Sequence, residues 1–260
     1  MVPDKKYFLS NNIKLAYTDC GEGDPILLIH GFASNAYINW FSTGWVEYLI
    51  KANFRVIAID NIGHGDSDKI YVKDVYTPMN MADDAANLLK HLNINKALIM
   101  GYSMGARISG YFALKYPQMV EALIFGGLGM GMITGAGSWE PVQEALLAED
   151  ISTITNPRAL MFRKFADNTK SDREALALCV VASKLELSED AVKSIKAPTL
   201  VVVGENDDIS GSAEELAAIM PNAMAVTLPG RNHMLAVGDK LYKKSVLQFI
   251  TNKGKWHVTQ

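Results

Sequence analysis

Ser103 stands between two glycines in Gly101-Tyr-Ser-Met-Gly105. A serine hydroxyl is a weak nucleophile at its ordinary pKa. It attacks a carbonyl carbon only when a neighbouring base takes its proton and an acid holds that base in place. The useful question is therefore whether the chain supplies a histidine and a carboxylate that can meet it. Two later stretches do: Gly204-Glu-Asn-Asp-Asp208 and Gly230-Arg-Asn-His233.

A glycine-flanked serine recurs by chance, and a structural serine at a turn satisfies the five residues equally well. The surroundings narrow the reading. Lys96–Met100 is a short apolar run of strand length. After Ser103, Met104–Tyr116 has helix length and stops before Pro117. Its small residues, Gly105, Ala106, Ser109, Gly110 and Ala113, let a helix lie close to a sheet. Strand, serine, helix puts the hydroxyl on a tight turn at a strand end.

The elements that must position these groups follow from the pattern. Tyr7–Ser10 and Ile13–Asp19, joined at Asn11-Asn12, read as a β-hairpin. Strand-like runs follow at Pro25–His30, Phe54–Asp60, Lys96–Gly101, Val120–Phe125, Pro198–Gly204 and Ala223–Leu228. Helix-like runs separate or follow them at Thr43–Ala52, Asn80–Leu92, Met104–Tyr116, Ser212–Met220 and Val237–Asn252. PILLIH and TLVVVG are apolar on both faces, as strands covered by helices on both sides must be. The fold class is therefore α/β, a mostly parallel, doubly wound sheet with helices on both faces. Between about residues 127 and 195 the pattern turns helical: Trp139–Ala148, Arg158–Asp167, Arg173–Leu185 and Glu189–Ser194. The expected organisation is a core of residues 1–126 and 196–260, with 127–195 inserted as a helical cap.

Ligands of open α/β sheets sit at the carboxyl ends of the strands. There the chain places His30-Gly31-Phe32, Asp60 to Ser67, Ser103, Asp207-Asp208 and His233, each after a different strand. His233 is the candidate base, because it follows the last strand. His30 and His64 lie in glycine-rich turns and are expected to make structural hydrogen bonds. His91 falls on a polar helix face and His257 in the charged tail. Asp207, third after Gly204, is the candidate acid, with Asp208 its solvent-facing or loop-capping neighbour. A tetrahedral intermediate also needs two backbone donors. Met104 N–H at the helix start and Phe32 N–H in the loop after the Pro25 strand fit that need, and the same two residues are the candidate substrate contacts.

The pieces HGF at 30–32, DNIGHGDSD at 60–68, GYSMGA at 101–106, GENDD at 204–208 and GRNH at 230–233 together resemble the α/β-hydrolase superfamily. The likeness is to its small capped members: carboxylesterases, enol-lactonases, carbon–carbon bond hydrolases and cofactor-free haloperoxidase-like enzymes. It covers most of the chain, in order and at normal spacing; only the cap region lacks a recognisable motif. The order Ser103, Asp207, His233 is also that of the superfamily. The resemblance implies acyl transfer to water, with a small-molecule ester-like substrate and neither metal nor organic cofactor. A serine at 103 argues against the haloalkane dehalogenase and epoxide hydrolase branches, which use aspartate. Two departures are small: Ala106 replaces a frequent second glycine, and Asn61-Ile62 replaces a different pair.

Bulk properties fit this reading. The chain has 260 residues, 49% hydrophobic and 20% charged, with net charge −3. No dense Lys/Arg block supports nucleic-acid binding. Cys20 and Cys179 are far apart, outside any metal-ligand spacing, and are expected to be free thiols in a reducing compartment. The amino-terminal stretch lacks a signal-peptide h-region, so a cytoplasmic location is expected. Ala122–Trp139 carries no charge over 18 residues, but six glycines make it a poor membrane helix. It reads instead as a strand running into a flexible apolar loop.

Specificity is less legible. Leu128, Met130, Met132 and Ile133 are candidates for a pocket wall or for cap-to-core packing. Trp40, Trp45 and Trp139 suit core packing better than a pocket. Arg163 suits a solvated surface better than an anionic substrate. Three functions fit: a serine hydrolase of small carboxylic esters, lactones or thioesters; a carbon–carbon hydrolase or perhydrolase with the same residues; and a ligand receptor on a hydrolase scaffold with little turnover.

Overall fold

A computed structural model describes residues 4–252, so His257 lies outside the described residues. The amino-terminal hairpin forms as expected. β1 (Lys6–Ser10) pairs antiparallel with β2 (Ile13–Cys20). Asn11 and Asn12 take φ of 49° and 66°, the left-handed pair that a two-residue hairpin turn requires and asparagine tolerates.

Six more strands complete one eight-stranded sheet: β3 (Asp24–Ile29), β4 (Phe54–Ile59), β5 (Ala97–Tyr102), β6 (Val120–Gly126), β7 (Thr199–Gly204) and β8 (Ala223–Leu228). Their spatial order is β1-β2-β4-β3-β5-β6-β7-β8. All pairings from β4 to β8 are parallel; β2 joins β4 antiparallel. The sheet has period-2 side chains, and both sets are apolar. Leu27, Ile29, Ile57 and Ile99 enter one core layer; Ile26, Leu28, Val56 and Met100 enter the other. Helices α2 (Pro78–His91) and α3 (Met104–Lys115) cover the first face through Ala85, Leu89 and Phe112. Helix α1 (Trp45–Lys51) covers the second. Trp40 and Trp45 are fully buried there, as core packing demands.

Between β6 and β7 lie α4 (Gly131–Thr134), α5 (Glu140–Leu147), α6 (Pro157–Asn168), α7 (Arg173–Ala182) and α8 (Glu189–Ser194). Local capping sets their starts: Asn156, Asp172 and Ser188 side chains accept from the backbone N–H three residues on. α7 ends at Ala182, three residues short of its expected end. The glycine-rich stretch corrects an expectation. It is not an open loop: Met130 and the first turn of α4 are pinned to the segment after β7, with Gly129 and Gly131 N–H donating to Ser210 O and Met130 N–H to Ser212 O. Met132 is buried in the core rather than facing a cavity.

The chain finishes with α9 (Ala213–Ile219), β8, then α10 (His233–Ala236) and α11 (Lys240–Thr251). The expected terminal helix, Val237–Asn252, starts three residues late at Lys240, because Asp239 caps that start by accepting from Leu241 and Tyr242 N–H, and the short α10 precedes it. No helix among the described residues is long and apolar enough to cross a membrane.

Candidate active site

Three strand ends meet at one rim. Ser103 follows β5, Asp207 follows β7, and His233 opens α10 after β8. Ser103 Oγ lies 3.0 Å from His233 Nε2. His233 Nδ1–H donates to Asp207 Oδ2 at 2.8 Å. The Asp207 side chain is fully buried and His233 nearly so.

The turn that carries Ser103 is tight. Its φ is 54° and ψ −112°, an unfavourable conformation for a side-chain-bearing residue. The flanking glycines are required by contact. A Cβ on Gly101 would fall 2.1 Å from the Gly105 carbonyl oxygen, and one on Gly105 2.0 Å from that of Ile29. The helix thus starts directly against two central strands, and Ser103 N–H anchors the turn to Gly126 O at 2.7 Å.

Asp207 is saturated with donors. Oδ1 accepts from Ile209 and Ser210 N–H at 2.9 and 3.0 Å. Oδ2 receives His233 and lies 2.7 Å from Ser210 Oγ. Burial alone would raise this carboxyl, but the hydrogen bonds and the charge of His233 outweigh it and hold the group below its ordinary range. Asp208 is exposed and takes no part in this network.

Neither Phe32 N–H nor Met104 N–H donates to any described group. Both flank Ser103, at the loop after β3 and at the first residue of α3. The loop after β3 is held from below. Asp60 accepts from Ala36 N–H at 2.7 Å and Asp66 N–H at 3.0 Å, clamping two loops together. His30 Nδ1–H donates to Gly31 O at 2.7 Å, so Nε2 is free to accept from Asn61 N–H at 2.9 Å. The Asn61 side chain adds a second tie by donating from Nδ2 to His30 O at 3.3 Å. His64 is fully buried beside His30 and Phe32; burial pushes its pKa to about 3 and keeps it neutral. His91, exposed on α2, packs its ring near Phe8 and Tyr17.

A cavity of about 260 Å³ opens over Ser103 and His233. Phe32, Ile38, Trp139, Phe162, Phe165 and Val237 give it a mainly apolar wall. A small side recess reaches Met104 and Leu128. Trp139 therefore faces the site, unlike Trp40 and Trp45. Of the four apolar residues that suited either a pocket wall or cap-to-core packing, Leu128 alone lines this recess. Arg163 is neither a surface residue nor an anion ligand. It is 5% exposed, its Nη1 donates to the Ala145 and Ala148 carbonyls at 2.7 Å, and its Nε pairs with Asp167. The guanidinium ties α6 to the end of α5.

Four contributors escaped sequence reasoning. Ser210 sits against Asp207. Tyr102 donates its hydroxyl to His233 O at 2.5 Å. Arg107, buried on α3, donates to the carbonyls of Gly131, Met132 and Leu185. Lys184 lines the cavity with its ammonium 3.6 Å from the Trp139 ring centroid. Tyr102 and Arg107 stand beside the glycine-flanked serine, a clue to their location but not to their partners. Ser210 and Lys184 carry no local signal.

Residues 24–166 match the model of the alpha/beta hydrolase fold family. The chain belongs to that family. Within it, the chain is 27% identical to the non-heme chloroperoxidase of Kitasatospora aureofaciens, over 92% of this chain and 97% of that one. It is 30% identical to the 2-hydroxy-6-oxononadienedioate/2-hydroxy-6-oxononatrienedioate hydrolase of Escherichia coli, over 75% of each. Among solved structures, a hydrolase from Pseudomonas aeruginosa superposes with a TM-score of 0.80 at 25% identity, covering 95% of this chain and 98% of that one. A thermophilic esterase from Thermogutta terrifontis gives 0.77 at 25% identity, over 97% of this chain and all of the other. This α/β hydrolase thus has near relatives of different chemistry on one scaffold, and a hydrolase of this family acts on a small molecule.

Proposed function

We propose that this α/β hydrolase cleaves a small carboxylic ester, lactone or thioester through an acyl-enzyme on Ser103. One observation carries the reading: an unbroken hydrogen-bonded line from Ser103 Oγ through His233 to a buried, ionised Asp207, beside two unused amides. His233 Nε2 takes the hydroxyl proton as Ser103 Oγ bonds to the substrate carbonyl carbon. The amides of Phe32 and Met104 receive the oxygen as it gains charge. Asp207 fixes the tautomer that leaves Nε2 unprotonated and then faces the imidazolium. His233 protonates the leaving alcohol, and water attacks the acyl-enzyme with the same base. Residues 127–195 form the cap, contributing Phe162 and Phe165 from α6 and Trp139 and Lys184 from its connecting segments to the cavity wall.

The test is hydrolysis of p-nitrophenyl esters of increasing acyl length by the wild type and Ser103→Ala. Serine-dependent release of p-nitrophenol, with an optimum among short acyl chains, is expected. Equal activity in Ser103→Ala overturns the assignment. A second reading, carbon–carbon bond hydrolysis by the same residues, is favoured by the 30% identity to a relative named for such a reaction. Turnover of a vinylogous dienol diketo acid, followed by loss of its absorbance, would select it. A perhydrolase activity would require peroxide and would appear as peroxide-dependent halogenation.

A further inference from the structure

Lys184 is a cation without a counter-ion in the cavity that holds Ser103. Among the described residues, its ammonium has no hydrogen-bond acceptor and no carboxylate within ion-pair distance. Its company is aromatic and basic instead. The nitrogen lies 3.6 Å from the Trp139 ring centroid and 5.7 Å from that of Phe32. The Arg158 guanidinium carbon lies 3.8 Å from the same Trp139 ring. Arg158 spends Nη1 on Ala136 O at 2.7 Å, but its Nε and Nη2 are buried with no acceptor. Two cations thus contact one indole, and the acids that act on them, Glu186 on Lys184 and Asp208 on Arg158, are both exposed.

Lys184 is half-buried, and a partly buried cation without an acceptor loses some hydration and regains only part of it from an aromatic face. An anion would complement this ammonium, and Lys184 lines the same cavity as Ser103 and His233. We propose that Lys184 binds a carboxylate carried on the substrate, so that the preferred substrates are short esters or lactones with a second, free carboxylate. This inference rests on the hydrolase reading above and specifies its substrate class. A carboxylate fits better than a larger anion because the cavity is about 260 Å³ and must also hold the scissile group. The apolar wall of Phe162, Phe165 and Val237 then receives the methylene linker.

The charge on Lys184 is itself conditional. Burial, then repulsion from Arg107, with a smaller contribution from Arg158, lowers it to about 7; Cys179 and Glu186 oppose the shift. His233 also faces the cavity, but its protonation affects all ester substrates alike and cancels in a ratio of two. The anionic preference should therefore be full on the acid side of neutrality and fade as pH rises.

The experiment compares mono-p-nitrophenyl glutarate with p-nitrophenyl valerate, in wild type, Lys184→Met and Arg158→Met. The readout is the ratio of kcat/KM for the anionic ester to that for the neutral one, from pH 6 to 8.5. Lys184→Met should lower the pH 6 ratio by about tenfold or more, through a higher KM for the glutarate ester. The wild-type ratio should fall with rising pH and that of Lys184→Met should stay flat. An unchanged ratio in Lys184→Met, or a loss confined to Arg158→Met, overturns the proposal. Calorimetric titration of free glutarate into Ser103→Ala and Ser103→Ala/Lys184→Met keeps the two readings apart. If neither ester is cleaved but glutarate binding weakens about tenfold without Lys184, the hydrolase reading fails and the anion site stands. Glutarate affinity unchanged by Lys184→Met removes the anion site whatever the enzyme cleaves.

Discussion

The Tyr102 hydroxyl donates to the backbone carbonyl of His233 across 2.5 Å, linking the last residue of β5 to the first residue of α10. The two strand ends that carry the candidate nucleophile and base are thus fastened by the residue next to the nucleophile. Tyr102 is buried, so the bond is shielded from water. Tyr102→Phe removes it and leaves a buried carbonyl unpaired, at a cost of about 1–3 kcal/mol. The expected outcome is a fall in kcat of about tenfold with little change in KM, read from ester hydrolysis. An unchanged kcat would mean that α10 holds His233 without help.

Asp207 and Asp208 are neighbours with opposite surroundings. Asp207→Asn removes the acceptor that orients His233 and should lower kcat by about 10³-fold or more. Asp208→Asn changes an exposed side chain and should stay within about twofold. Steady-state kinetics on the two variants decide this, and the reverse ranking would transfer the acid role to Asp208.

Arg107 ties α3 to the stretch between β6 and β7. Its guanidinium reaches three carbonyls on two segments, Gly131-Met132 and Leu185, from α3. Arg107→Met removes three charge-assisted hydrogen bonds. Gly131 O, Met132 O and Leu185 O keep Gly135 N–H, Leu187 N–H and the Tyr111 hydroxyl as donors, so the cost in chemical denaturation should be about 1–3 kcal/mol. Because those segments flank Trp139 and Lys184, KM should rise more than kcat falls.

Asp84 gives a pH signature far from the site. It is 7% exposed on α2 and accepts from Ser10 Oγ at 2.5 Å. Burial raises its carboxyl from 3.8 to about 6. The folded chain therefore holds this proton more tightly than the unfolded chain, and stability falls as pH rises between those values. Asp84→Asn has no proton to lose. It should match the wild type near pH 4 and exceed it by on the order of 2 kcal/mol at pH 7 and above, in denaturant titrations at each pH.

The core was legible because parallel strands buried on both faces leave uninterrupted apolar runs, as in Ile26–Ile29 and Leu200–Val203. The candidate site was legible for a related reason: in this topology a strand end fixes where the next residue lies. Trp139, Arg163 and Lys184 were not legible, since each depends on contacts among the segments between β6 and β7. Arg163 looks like a surface residue until the Ala145 and Ala148 carbonyls are placed around it. The glycine-rich stretch misled in the same way. Its glycines read as freedom, yet Gly129 and Gly131 are fixed by Ser210, some 80 residues later in sequence.

The backbone twist at Ser103 implies an opposition between endurance and use. A residue held at φ 54° and ψ −112° costs on the order of 1–3 kcal/mol of folding stability that a glycine there would partly recover. Selection for heat resistance alone would erode position 103 early, and selection for turnover would restore it. With Ser103 as the proposed nucleophile, the serine persists only while turnover is selected, which makes this residue a marker of whether a descendant of the chain still uses its cavity.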